Sequence, residues 1–578
     1  MDEQHKKNNG GQQEGRKPFK DDRKPFAPRG RKPFAGNRKP YQGGRKAQGV
    51  KPQDQEGAGE ERRAPRRPQN RPFGRPANGE RKPFNGERRS FGRPANGERK
   101  SFGRPANGDR RAVRPVQKAP ARPMQPQDPL SFGARAAAWD VLNRVLFEEG
   151  YTALSLSDEM GKMRLSDRDK RLCTNIVYTT LENLLYLDFA LNTCLEDVEG
   201  VDQAVRNLLR LSAAQLFFMD RVPESAAVNE AVKLARQRGY EGLTGLVNAV
   251  LRSLIRQMSM IPWPDREEDL VRFLSVRYSM PEWLTEKLLG VFGEEETEAI
   301  LKGSMKHKLM TLRPNFLLIN SEELEKKLRA KKDWRVEHGR LPDTFYVSGT
   351  GDISMDEDFI KGLYSVQGEA SMLAAESVDA GCGMNVLDCC AAPGGKTAYM
   401  AEKMQNTGRV QAWDMHEHRV ELIRKMTERL RIYNVRPMVR DATVPREQLE
   451  KTMDAVLLDA PCSGTGVLHD KPDAKYRLNE ERLVGLKETQ RKLMDTCSSY
   501  VKPGGVFVYA TCSILPEENA EQVEGFLRDH QDFELSPLPE TIPESFREQA
   551  GHFGLQLLPG ADGMDGFFIA RMVRKTDA

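Results

Sequence analysis

The chain has 578 residues, 38% of them hydrophobic and 30% charged, enough for about three ordered units at roughly 100 to 200 residues each. It has no run of about 18 apolar residues and starts on a polar, charged stretch, so it is expected to be cytoplasmic, with no membrane partner and no signal peptide. The eight cysteines form no Cys-x-x-Cys pair, which argues against a disulfide framework or a zinc ribbon. No metal is expected, and His416-Glu-His418 reads as solvated helix surface.

The net charge of +6 conceals two opposite halves. Residues 1–130 carry 34 Lys and Arg against 14 Asp and Glu, while the remainder carries 56 against 70. The basic segment repeats Arg-Lys-Pro-Phe/Tyr from positions 16, 23, 31, 38 and 81, and Phe-Gly-Arg-Pro-Ala-Asn-Gly-Glu/Asp-Arg from Phe73, Phe91 and Phe102. Before Leu130 its only β-branched aliphatic residues are Val50, Val113 and Val116, too little apolar surface to offset chain entropy. A disordered tail over 1–130 is expected, with arginines to neutralise phosphates and isolated rings to stack on unpaired bases.

Ser131 is a plausible N-cap, after which Ala138, Val141, Leu142, Val145 and Leu146 follow the spacing of an amphipathic helix. Leu208, Leu211, Leu216 and Phe217 form another stripe, as do Val228, Ala231, Leu234 and Ala235, and Leu246, Val247, Val250 and Leu254. An all-helical domain is predicted over 131–260. Its phrases Asn207-Leu-Leu-Arg-Leu-Ser, Asp220-Arg-Val-Pro-Glu-Ser-Ala-Ala-Val-Asn-Glu-Ala-Val and Leu246-Val-Asn-Ala-Val-Leu-Arg resemble the NusB-like domain fused to some RNA methyltransferases, which implies RNA binding.

Over 265–380 the periodicity is weak and mixed. Tyr278-Ser-Met-Pro-Glu-Trp-Leu, Thr311-Leu-Arg-Pro-Asn and Val366-Gln-Gly-Glu-Ala-Ser resemble the small α+β RNA-recognition subdomain of the same enzymes. That family usually has aspartate where Gly368 stands, so a local hydrogen-bond change is expected there.

From 381 to 578 strands alternate with helices, an α/β pattern predicting a Rossmann-like domain. Met384-Asn-Val-Leu-Asp388 reads as a strand, Cys390-Ala391-Ala392-Pro393-Gly394-Gly395-Lys396 as a turn opening a helix whose free N–H groups face a nucleoside cofactor. Lys396-Thr397 tempts a phosphate-loop reading, but that motif needs glycine where Cys390 stands. Asp414 ends the next strand about 20 residues on, where such folds place the carboxylate that grips ribose hydroxyls; capping of the next helix is the structural alternative. Asp441 follows a further short strand and is positioned to accept an adenine amino group. The apolar runs Ala455-Val-Leu-Leu and Val506-Phe-Val-Tyr read as buried parallel strands, leading directly into Asp459-Ala-Pro-Cys462 and Ala510-Thr-Cys512. Two thiols are thereby expected at one rim of the sheet, at the carboxyl ends of its strands.

Together, Cys390-Ala-Ala-Pro-Gly-Gly-Lys396, Asp414, Asp441, Asp459-Ala-Pro-Cys-Ser-Gly-Thr-Gly466 and Thr511-Cys-Ser-Ile-Leu-Pro-Glu-Glu-Asn519 resemble the Nop/Sun-type RNA cytosine-5 methyltransferases. With the NusB-like domain in front and Asp565-Gly-Phe-Phe-Ile-Ala-Arg571 near the end, residues 131–578 resemble the bacterial 16S ribosomal RNA cytosine-5 methyltransferase B family. The resemblance implies S-adenosyl-L-methionine as cofactor, bound by residues 390–396, Asp414, Asp441 and Asp459, and 16S ribosomal RNA, free or partly assembled, as substrate, with no obligate protein partner. The same chemistry on transfer RNA or another ribosomal site, and an inactive RNA-binding assembly factor, are the alternatives.

Carbon 5 of cytosine is a poor nucleophile, so such chemistry needs a thiolate to add first at carbon 6. The residues leave open which thiol attacks; the resemblance assigns attack to Cys512 and product release to Cys462, with Asp459 on the ring nitrogen and amino group. Lys396 and the cofactor's sulfonium are candidates for lowering the thiol pKa. His469 and Asp470 stand where many relatives carry arginine, so the RNA grip there is expected to differ.

Overall fold

The computed structural model describes residues 133–306, 308–560 and 563–576, and the basic tail of 1–130 lies outside them, as does the proposed cap Ser131. The first helix runs Ala134–Phe147 with Gly133 at its N-cap. Its predicted stripe is the buried one: Ala138, Val141, Leu142 and Val145 enter a single core with Leu208, Leu211, Val228, Ala231, Leu234, Val247 and Leu254. Trp139 anchors that core, its indole N–H donating to the Ala204 carbonyl at 2.7 Å. Helices alone build the layer, as the 3.6-residue spacing requires.

A four-stranded sheet follows, formed by β1 (Met310–Pro314), β2 (Arg335–His338), β3 (Phe345–Ser348) and β4 (Tyr364–Val366) in the order β2-β3-β1-β4. Its pairings are all antiparallel. The helix Ser321–Arg329 joins β1 to β2 and buries Leu324 and Leu328 against Leu312, Phe345 and Val347. The helices Leu270–Tyr278 and Glu282–Gly303 pack elsewhere: Leu274, Leu284, Leu288 and Leu301 share a core with Leu468, Leu478, Ile514 and Leu515.

The second sheet has eight strands. It contains β5 (Asn385–Asp388), β6 (Arg409–Asp414), β7 (Val435–Val439), β8 (Met453–Asp459), β9 (Val501–Thr511), β10 (Phe533–Leu535), β11 (Leu555–Leu557) and β12 (Phe567–Arg574). The order is β10-β12-β9-β8-β5-β6-β7, with β11 paired to β12. Strands β5 to β9 are mutually parallel, and β10 to β12 form an antiparallel edge. Val456, Leu457, Leu458, Phe507, Val508 and Tyr509 are wholly buried, which is why β8 and β9 read as continuous apolar runs. The chain runs outward from β5 through β6 to β7, then returns to lay β8 on the other side of β5. Between β5 and β8 the order reverses, and the strand ends there open a crevice. The helix Glu369–Glu376 also belongs to this layer, since Ala370, Leu373 and Ala374 pack with Val386, Ala398 and Val410. Among the described residues no helix is long and apolar enough to cross a membrane.

Candidate active site

The site is assembled at the carboxyl ends of five parallel strands. Register sets the thiols: Asp459 pairs with Ala510, so Cys462 and Cys512 emerge three and two residues past opposed positions on β8 and β9. Gly466 N–H donates to the Cys512 carbonyl at 3.0 Å and ties the two loops together. The sulfurs lie 3.2 Å apart, both as free thiols. They are not equivalent. The hydrogen bond from Cys462, with the Lys471 and Lys396 charges helping, holds the Cys512 thiol below its ordinary range against burial and the Asp459 charge. That same bond, then burial, the Cys512 charge and the Glu518 charge push Cys462 well up. These influences favour Cys462 as the donor and Cys512 as the acceptor of the pair.

Lys396 lies beside them. Its ammonium donates to Asp459 Oδ2 at 2.8 Å and rests 5.0 Å from the centroid of the Phe567 ring. Burial favours the neutral amine, but the Asp459 carboxylate outweighs it and raises the ammonium pKa. Asp459 ends β8 with its side chain 27% exposed, so a ligand in the crevice reaches it.

The turn from β5 is held by its own backbone contacts. Cys390, Ala391 and Ala392 lead to Pro393, with Ala391 N–H on the Trp413 carbonyl at 2.7 Å and the Arg419 guanidinium on the Ala392 carbonyl at 3.1 Å. Gly394 turns with φ of 110°, and a Cβ there would meet the Ile423 backbone at 3.4 Å. Gly395 opens the helix Gly395–Lys403, whose first internal bond runs from Ala398 N–H to the Gly394 carbonyl. The amides of the helix's first turn therefore have no intrahelical partner. Beneath the turn, Asp388 accepts from the Thr397 hydroxyl at 2.6 Å while its other oxygen is buried without a partner. Burial pushes its carboxyl up to about 7. The Cys390 thiol is also pushed well up by burial, which makes it a packing residue of the turn.

Asp414, buried at the end of β6, accepts from His416 N–H at 3.1 Å and pairs with Arg419 at 3.1 Å. It both orders the entry to the helix Glu417–Leu430 and presents a carboxylate at the rim. Asp441, exposed beyond β7, takes the Thr443 N–H and hydroxyl, which hold its pKa low. A nucleoside with ribose hydroxyls and an exocyclic amine fits this donor and acceptor set, so residues 390–396, Asp414, Asp441 and Asp459 are able to hold S-adenosylmethionine.

The departures from the family pattern converge. A Cβ at Gly368 would come 2.9 Å from Asp565 Oδ2, and buried His469 lies 3.4 Å from Asp565 Oδ1 and 3.3 Å from Asp470. Gly368 heads the helix Glu369–Glu376 with no side-chain cap, and the Asp565 carboxylate occupies the adjoining space. Lys308 donates to Asp565 at 2.6 Å. His469, Asp470 and Asp565 are the one cluster among the described residues that comes within metal-ligand reach, and its Lys308 ammonium already supplies the cation. His416 and His418 stack their rings on the exposed surface, as expected. Lys471 had no role assigned from the sequence. Its signal in the sequence is a cation five residues after Gly466, indistinguishable there from any surface lysine.

Three family models match the chain: 16S rRNA methyltransferase RsmB/F over residues 375–573, the NusB family over 133–256, and the RsmF/B-like methyltransferase ferredoxin-like domain over 280–354. The probable ribosomal RNA small subunit methyltransferase B of Bacillus subtilis is 37% identical over 443 residues, covering 76% of this chain and 98% of that protein. The ribosomal RNA small subunit methyltransferase B of Shewanella oneidensis is 31% identical, covering 77% and 98%. The crystal structure of PH0851 superposes with a TM-score of 0.65 at 27% identity, covering 77% of this chain and 99% of that one.

Proposed function

Because this chain belongs to the RsmB/F family of 16S rRNA methyltransferases, we propose that it methylates carbon 5 of a cytosine in 16S ribosomal RNA through a covalent adduct to Cys512. The observation that carries the reading is the pair of free thiols 3.2 Å apart, with Lys396 and Asp459 beside them. S-adenosylmethionine, when bound by the β5 to β7 loops, supplies the methyl group and a sulfonium charge.

Cys512 bonds through sulfur to carbon 6, and the ring electrons displaced onto carbon 5 make that carbon nucleophilic. Asp459, oriented by Lys396, hydrogen-bonds the ring nitrogen and amino group and stabilises the charge that develops there. Once carbon 5 carries its methyl group, Cys462, having given its own proton to solvent after Cys512 is consumed in the adduct, takes the remaining carbon-5 proton; the C–H electron pair restores the double bond and Cys512 leaves as thiolate. The timing is built into the pair. Its hydrogen bond to Cys512 and the Cys512 charge are two of the influences that keep Cys462 protonated at rest, and both vanish when Cys512 becomes a thioether. The sulfurs reach only an unpaired or flipped base, which favours free or partly assembled RNA. The basic repeats of 1–130, outside all three matched segments, serve as an arm that holds RNA through phosphates and stacking.

Bisulfite mapping of ribosomal RNA from cells with and without the gene tests the assignment. Loss of one methylated 16S cytosine is expected; an unchanged 16S pattern with a lost transfer RNA site would reassign the substrate.

A further inference from the structure

Glu518 is wholly buried beneath both cysteine loops. Its Oε1 accepts from the Ser463 N–H at 2.9 Å and from Gln490 at 3.0 Å, and its Oε2 accepts from the Ser463 and Ser513 hydroxyls at 2.5 Å each. Ser463 follows Cys462 and Ser513 follows Cys512, so one carboxylate grips the residue next to each thiol. Thr465 closes the cluster, 3.2 Å from Ser463 Oγ and 3.1 Å from Ser513 Oγ. Asn519 then secures the second loop, accepting from Thr511 at 2.6 Å and donating to the Ser513 carbonyl at 2.9 Å. Gln490 also donates to the Pro461 carbonyl at 3.0 Å, from the helix Glu480–Ser498.

A buried charge is kept only where donors satisfy it, and four donors aimed at one carboxylate make a rigid mount. A neutral amide would offer one acceptor oxygen to these four donors, so the cluster is built for a carboxylate. Its charge is one of the influences that push Cys462 up, after the Cys512 hydrogen bond, burial and the Cys512 charge.

We propose that Glu518 is a positioning residue that makes the two thiols unequal: it fixes both loops through Ser463 and Ser513, but it takes two of its four bonds from Ser463 and shares Gln490 with Pro461, so its charge lies on the Cys462 side of the pair. The proposal rests on the adduct chemistry above and deepens it. At rest Glu518 preserves the donor that stabilises the Cys512 thiolate. After adduct formation, when Cys512 no longer carries charge, Glu518 still opposes ionisation of Cys462 and so makes its thiolate a stronger base for the carbon-5 proton. Arg491, from the same helix as Gln490, and the neighbouring Lys287–Glu517 pair at 2.6 Å are the other charges of this region, and Tyr509 donates to the Glu518 carbonyl at 2.6 Å.

The test is the pH dependence of iodoacetamide alkylation at each thiol of the full-length enzyme, read by peptide mass spectrometry. In the wild type the Cys462 midpoint is expected above that of Cys512. Glu518→Gln keeps size and one acceptor oxygen but removes the charge, and is expected to bring the midpoints together by about a pH unit or more, lowering kcat with KM for RNA unchanged. Glu518→Asp keeps the charge and is expected to keep the midpoints apart. Unchanged midpoints in the Gln variant, or convergence in the Asp variant, overturn the proposal; where the Gln variant does not fold, the Asp variant decides alone. Failure here is separable from failure of the adduct chemistry, because Cys462→Ala with Glu518 intact still reports whether Cys512 bonds RNA.

Discussion

Replacing Arg313 by methionine should be among the most damaging single changes outside the reacting groups. Arg313, on β1, reaches the helix that opens at the glycine turn, where its Nη1 meets Glu402 Oε2 at 2.5 Å and its Nε meets Gln367 at 2.8 Å. The two side chains are 4% and 3% exposed. Burial raises the Glu402 pKa even against the Arg313 charge, so desolvation more than offsets what the attraction contributes. Removing the arginine leaves a buried carboxylate without its hydrogen-bonded counter-charge, only the weaker pull of Arg429 remaining, at a cost of about 3 to 5 kcal/mol. Removing both charges in Arg313→Met/Glu402→Leu should return stability to within about 1.5 kcal/mol of the wild type. The sign with pH follows from a raised carboxyl pKa: the single variant's deficit is smallest below the unfolded value and grows as pH rises through the folded one. Urea unfolding at acidic and neutral pH measures each quantity. A single variant within about 1 kcal/mol of wild type at neutral pH, or a double variant as unstable as the single, would refute the reasoning.

Lys396→Met should cut methyl transfer by about 100-fold or more and move the alkaline rise of its pH profile upward, because Cys512 loses a stabilising cation and Asp459 its orienting donor; an unshifted profile in steady-state assays would contradict this. Deleting residues 1–130 should weaken RNA binding at low salt and flatten the slope of log affinity against log salt, measured by fluorescence anisotropy; an unchanged slope would remove the tail from RNA binding.

Much of the scaffold was legible because burial leaves a period. The stripes through Val141, Leu208, Ala231 and Val250 are the helical core, and the runs 455–458 and 506–509 are buried parallel strands. The helix Glu369–Glu376 was harder to place, since Ala370, Met372, Leu373, Ala374 and Ala375 are buried all round it and no face stands out. The cysteines could be sent to one rim from strand logic, but their inequality could not be derived from spacing. It depends on a sulfur contact across 50 residues, on Lys471 and on Glu518, whose partners come from three separate segments. Gly368, His469 and Asp470 were visible as separate departures; only folding shows that they surround one carboxylate, Asp565.

The most direct measurement is denaturing electrophoresis of each cysteine variant after incubation with 16S RNA and S-adenosylmethionine. Cys462→Ala should accumulate a band of protein joined to RNA, since attack proceeds and release does not, while Cys512→Ala should give none. A band from Cys512→Ala with none from Cys462→Ala would exchange the two roles, and no band from either would contradict the covalent mechanism.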